Sequence, residues 1–146
     1  MASPIISRAE VSATHPDRSL QLALAAAQVA IDNRGRDLVI LDMRELTPMF
    51  DYFVIATGAS RRQMHAISEE IDHHLEVNLG DHRLGIEGFT DGRWILLDYG
   101  DVVIHLFDEE ARDYYGLEQL WSRARRVPVP SAELGVRTAE AGAFGI

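Results

Sequence analysis

An α/β fold, a mixed sheet of about five strands flanked by helices, is predicted by this 146-residue sequence. Two observations carry that prediction. Apolar residues recur at helical spacing in three separate stretches, and between them lie short continuous apolar runs of the kind that form strands buried on both faces. Turn and capping residues fall at the junctions, so helices and strands alternate along one chain and the helices must cover the sheet.

The elements follow in order. Leu20, Leu24, Ala27 and Ile31 repeat at helical spacing; Asp17 or Ser19 can cap the start and Gly35 sits where the helix should stop. Leu38 to Leu41 and Tyr52 to Thr57 read as buried strands, joined by a connection containing Pro48. Gly58-Ala59-Ser60 ends the second strand. Ser60 followed by Gln63 is a capping-box pattern ahead of Met64, Ile67, Ile71 and Leu75, which predicts a second helix ending near Gly80. Arg83 to Gly88 is a weak strand, and Asp91-Gly92 supplies turn chemistry before a strand over Trp94 to Leu97. Tyr99-Gly100-Asp101 turns the chain into a strand over Val102 to Phe107. Asp108 can cap a last helix whose broad apolar stripe is Ala111, Tyr114, Tyr115, Leu117, Leu120, Trp121 and Ala124.

Composition bounds the class. Hydrophobic residues make up 47% and charged residues 25%, the ordinary globular balance, which suits one domain with a real core. The predicted organisation is a flexible tail over 1–17, a folded domain over 18–126 and a second flexible tail over 127–146, where Pro, Ala, Gly and Ser lose all periodicity. No apolar run approaches a membrane span, and the absence of cysteine fits a reducing compartment, so a cytoplasmic protein without a membrane partner is expected. The net charge of -9 opposes attraction to phosphate backbones, and no direct sequence-specific nucleic-acid binding is expected. Between Glu87 and Glu118 nine acids face two bases, a local net of -7, so a partner docking there should be basic.

Candidate chemistry is sparse. His73 and His74 are adjacent on a helix and point about 100° apart, which does not make a metal pair. His105, inside Val-Val-Ile-His-Leu-Phe, suits a buried, hydrogen-bonded histidine better than a catalytic base. The Gly58-Ala59-Ser60 junction lacks the glycines and lysine of a phosphate-binding loop. Two-metal phosphoryl transfer needs converging carboxylates; here Asp72 sits on a helix while Asp98 and Asp101 flank a tight turn, so no catalytic residues, metal or cofactor are assigned. The conspicuous feature is instead a set of aromatic and acidic residues, Phe89, Trp94, Asp98, Tyr99, Asp101, Tyr114, Tyr115 and Trp121, which suits a recognition surface. At least half of its aromatics should fill the core, Trp121 first among them.

Three blocks carry a family likeness: Asp51-Tyr52-Phe53-Val54-Ile55-Ala56-Thr57-Gly58; Trp94-Ile95-Leu96-Leu97-Asp98-Tyr99-Gly100-Asp101 running on through Val102 to Phe107; and Tyr114-Tyr115-Gly116-Leu117-Glu118-Gln119-Leu120-Trp121. With this order and spacing the chain resembles the ribosomal silencing factor family, also called RsfS or Iojap, over about residues 18 to 122. It departs from the family pattern where an Arg-His pair usually follows the Gly-x-Ser turn; Arg61-Arg62 stands here, with His65 further on.

The resemblance implies a nucleotidyltransferase-like fold without its active site. It implies binding to the large ribosomal subunit through ribosomal protein L fourteen, blocking association with the small subunit and repressing translation under nutrient limitation, with a homodimer when free. The family's partner-facing motif falls on Trp94, Asp98, Tyr99, Gly100 and Asp101, with Tyr115 and Glu118 as further candidates from the last helix. The alternatives are a catalytically active nucleotidyltransferase-like enzyme and a plain homodimeric interaction module.

Overall fold

The computed structural model describes residues 18–129. Its helices are α1 (Arg18–Asp32), α2 (Arg61–Leu79), α3 (Glu109–Tyr115) and α4 (Leu117–Leu120). Its strands are β1 (Arg36–Asp42), β2 (Tyr52–Gly58), β3 (Gly85–Glu87), β4 (Trp94–Asp98), β5 (Val102–Asp108) and β6 (Arg125–Val127). The six strands form one mixed sheet in the order β3-β4-β5-β2-β1-β6. β2 and β5 pair in parallel at the centre, and every other pairing is antiparallel.

The two continuous apolar runs are the central strands, as their composition requires: all of β2 and all of β5 except its last residue are buried. Alternate side chains face opposite ways. Val54, Ala56, Ile104, Leu106, Ile95 and Leu97 join a first core with α1 and α2, where the alanines Ala23, Ala26, Ala27 and Ala30 let α1 lie close to the sheet. Leu41, Phe53, Ile55, Val103 and Phe107 form a second core on the other face, roofed only in part by Ala111 and Leu117. The second face is therefore the thinner side.

Three of the caps stand where the sequence put them, whereas Ser19, a candidate cap for α1, lies inside that helix and its hydroxyl donates to Asp51 at 2.7 Å, and Asp17 lies outside the described residues. Ser60 accepts from the Gln63 backbone N–H at 3.1 Å, and the Gln63 carboxamide reaches back to the Ala59 N–H. Gly80 closes α2 in the left-handed region at φ 71°, and Asp108 accepts from the Ala111 N–H at 2.7 Å.

Two expectations are corrected. The last helix is broken: Gly116 adopts φ 53°, so α3 ends and α4 starts afresh. The predicted stripe is split with it, Ala111 and Leu117 pointing inward while Tyr114 and Leu120 are exposed. The chain also supplies a sixth strand, in which Val127 pairs with Ile40 and Arg126 with Leu41, so the packed chain continues past the expected start of the C-terminal tail. An Arg-Arg-Val edge strand has no apolar alternation to announce it. The tail expectations for 1–17 and 130–146 lie outside the described residues. Among the described residues no helix is long and apolar enough to cross a membrane.

Candidate functional site

Strand β4 sorts its own candidates. Ile95 and Leu97 are fully buried in the first core, which leaves Trp94, Leu96 and Asp98 on the second face. Trp94 and Asp98 lie at opposite ends of the strand, roughly 13 Å apart at about 3.3 Å per residue. The sequence motif thus splits into two sub-sites.

At the Trp94 end, antiparallel pairing sets Trp94 opposite Phe107. The indole packs on the Phe107 ring at 4.9 Å and on Tyr115 at 4.6 Å, and Tyr114 stands edge-on to Tyr115 at 5.0 Å. The Trp94 indole N–H donates to His105 Nδ1 at 3.2 Å. His105 is buried, and that burial drives its pKa down to about 3. It is thus neutral, with its proton on Nε2 while Nδ1 accepts, which supports the reading of a buried, hydrogen-bonded histidine. Trp94 is consequently only partly exposed and held in one orientation, whereas Tyr115 is 50% and Tyr114 81% exposed. Beside them opens a cleft of about 470 Å³ lined by Asp91, Arg93, Trp94, Glu110, Tyr114 and Tyr115. Arg93 is held by Glu110 at 2.9 Å and Asp108 at 3.4 Å.

At the other end the residues build a turn. Asp98 Oδ1 accepts from the Gly100 N–H at 2.8 Å, and Gly100 takes φ 89°, a conformation that excludes most side chains. The Asp101 carbonyl accepts from the Asp51 and Tyr52 N–H groups, tying this turn to the start of β2, while its side chain is exposed. Tyr99 does not join Trp94. Its hydroxyl donates to Asp72 Oδ1 on α2 at 3.0 Å, on the first face, and burial together with the Asp72 carboxylate pushes its pKa well up.

Glu118 stands apart from both ends. It receives a two-pronged bond from Arg112 at 3.1 and 3.0 Å, and Arg112 also donates to Thr57 Oγ1. With side chains only 12% and 17% exposed, this pair fastens the Gly116 elbow to β2. The guanidinium holds Glu118 below the usual carboxylate range.

None of the six aromatics singled out from sequence is fully buried. Phe89 and Tyr99 edge the first core, Trp94 and Trp121 edge the second, and the two tyrosines are exposed. Trp121, expected deepest, only flanks Phe53 at 6.3 Å because the Gly116 break ends the helix that would have carried it inward. Sequence reading missed the His105 acceptor of Trp94 and understated Tyr114. Strand parity could have found the first, since Trp94 and His105 share a face once β4 and β5 pair. His65, displaced from the family position, stacks on Phe89 at 4.0 Å and bonds its carbonyl, fastening the β3–β4 connection. Among the described residues no three His, Asp or Glu side chains gather into a metal-binding group.

Comparison with known proteins agrees with this frame. Residues 16–143 match the family described as ribosomal silencing factor during starvation. The chain is 39% identical over 117 residues to the ribosomal silencing factor of Bacillus subtilis, covering 80% of this chain and 93% of that one. A mouse protein named mitochondrial assembly of ribosomal large subunit protein 1 is 36% identical over 91 residues, spanning 60% of this chain and 40% of its own length. A crystal structure of a protein from Chromobacterium violaceum superposes with a TM-score of 0.68 at 36% identity, covering 70% of this chain and 85% of that one. A match over most of the chain, in sequence and in fold, makes this protein a member of the ribosomal silencing factor family.

Proposed function

We propose that the protein docks on the large ribosomal subunit through ribosomal protein L fourteen and silences translation by occupying the surface that the small subunit needs. The observation that carries this reading is the Trp94, Tyr114 and Tyr115 cluster, part-exposed on the thin face of the sheet, with Asp91 and Glu110 lining the cleft beside it. Rigid aromatics with a polar handle make interface anchors, and acidic residues beside them complement a basic ribosomal protein. Asp98 at the far end of β4, with Gly100 and Asp101 in the turn beyond it, extends the surface, while Tyr99 and Glu118 act indirectly by fixing the turn and the Gly116 elbow. No step of chemistry is required: occupancy is exclusion, and its strength follows affinity and concentration. The free protein forms a homodimer in the cytoplasm under this reading, without a cofactor and without catalysis.

The test is subunit joining. Purified protein at saturating concentration should co-sediment with isolated large subunits and prevent their association with small subunits in a sucrose gradient. Undiminished joining at saturation would refute the silencing reading.

A further inference from the structure

A group of exposed arginines lies away from the Trp94 cleft, at the β6 edge of the sheet. Asp91 and Glu110 line the cleft beside Trp94 on β4, whereas Arg125 and Arg126 stand on the β6 edge and Arg123 in the turn before it, all three exposed. Strand order puts four inter-strand steps between β4 and β6, roughly 19 Å at about 4.8 Å each. Pairing of Arg126 with Leu41 and of Arg125 with Asp42 turns these two side chains toward opposite faces, so they straddle the edge.

Arg125 and Arg126 are weakly engaged within the protein. Arg125 approaches Asp42 and Arg126 approaches Glu118 only at 4.0 Å, with side chains 78% and 63% exposed. Both carboxylates are already committed to closer partners: Asp42 to Arg44 at 2.9 Å and Glu118 to Arg112 at 3.0 Å. The guanidinium forks therefore keep most of their donors for an external acceptor, and a planar fork matches phosphate oxygens in geometry and charge.

We propose that Arg123, Arg125 and Arg126 on the β6 edge grip the RNA phosphate backbone of the large subunit, beside the basic protein taken by the acidic, aromatic end of the same molecule. This inference rests on the docking reading above. On a ribosomal surface the proteins are basic and would repel this edge, whereas RNA offers continuous phosphate. The net charge of -9 disfavours capture of free RNA, so the contact forms only when the acidic end is docked as well.

The experiment compares the wild type with the triple variants R123Q/R125Q/R126Q and R123K/R125K/R126K. Each is bound to isolated large subunits between 50 and 200 mM KCl and, separately, to purified L fourteen. Each phosphate contact contributes about 0.7 to 0.9 to the slope of log affinity against log salt. The Gln variant should show a slope shallower by about 2 and a loss of affinity of about tenfold or more at 50 mM, with L fourteen binding unchanged. The Lys variant should retain most of the wild-type slope. An unchanged slope in the Gln variant overturns the RNA contact while leaving the docking reading intact. An equal loss on isolated L fourteen also overturns it, by assigning the arginines to the protein partner. If the wild type binds neither subunits nor L fourteen, the docking reading falls and this inference falls with it.

Discussion

Replacing Trp94 by alanine should damage the fold and the docking surface together, by amounts that two measurements can separate. The indole is mostly covered by Phe107, Tyr115 and the His105 ring. A tryptophan carries up to about 250 Å² of surface, so truncation returns roughly 100–150 Å² to water. At about 25 cal/mol/Å² that is about 3 kcal/mol of lost stability, within the range known for large-to-small changes in packed sites. For a domain of this size the thermal midpoint should fall by about 10 °C. His105 Nδ1 also loses its donor, although the opened gap lies at the surface and water can take that place. Trp94→Phe should keep most of the packing and lose only the indole bond, so its midpoint should stay within a few degrees of wild type. If Trp94 anchors the partner, Trp94→Ala should bind large subunits about thirtyfold more weakly even well below its midpoint, the equivalent of about 2 kcal/mol. Calorimetry and subunit affinity on the same samples decide the matter. Unchanged affinity in folded Trp94→Ala would remove the residue from the docking surface. An unchanged midpoint would refute the packing argument.

Two further outcomes follow from the burial of ionisable groups. Folded His105 stays neutral down to about pH 3 while the unfolded chain takes up a proton below about 6.5, so its contribution is intact above pH 6.5 and is lost as pH falls toward 3. Stability should drop by up to about 1.4 kcal/mol per pH unit in that window, and His105→Gln should flatten the decline; parallel thermal midpoints for both proteins between pH 7 and 5 would refute this. Removing one partner of the part-buried Arg112–Glu118 pair should cost about 1–2 kcal/mol, less than a fully buried pair because both side chains retain some water. A urea midpoint for Arg112→Met that is unchanged would show that the elbow holds without the pair.

The parts of the fold that were readable are those where one local signal sufficed. The continuous apolar runs of β2 and β5, the Ser60 and Asp108 caps and the Gly80 stop each follow from side-chain type and spacing, and each is where it was expected. What escaped depends on tertiary context. Gly116 reads as one weak point in a long apolar stripe, and only the Arg112–Glu118–Thr57 contacts show that the chain turns there. β6 is held by its pairing with β1 and by no pattern of its own. Trp94, Asp98, Tyr99 and Asp101 are close in sequence, but strand alternation and strand length send Tyr99 to the first face and separate the rest by the length of β4. A linear motif sets these residues side by side without recording that they face different ways.

That separation bears on how the proposed docking surface is built. His105 beneath Trp94, Asp98 on the Gly100 N–H and Arg112 on Glu118 are bonded within the protein. Exposed beside them are Tyr114, Tyr115, Asp101 and the β6 arginines, the residues that the docking proposal gives to a partner. Immobilising a contact surface before binding reduces the conformational entropy lost on association, so a modest interface can hold its partner well. Under the proposed docking reading, where the effect is simple occupancy, that is where the sequence should spend its polar bonds. The pairing of a fixed inner group with an exposed outer one recurs at the Trp94 end, at the Gly100 turn and at the Gly116 elbow, where Arg112 secures the Glu118 carboxylate and leaves the Arg126 guanidinium free to turn outward.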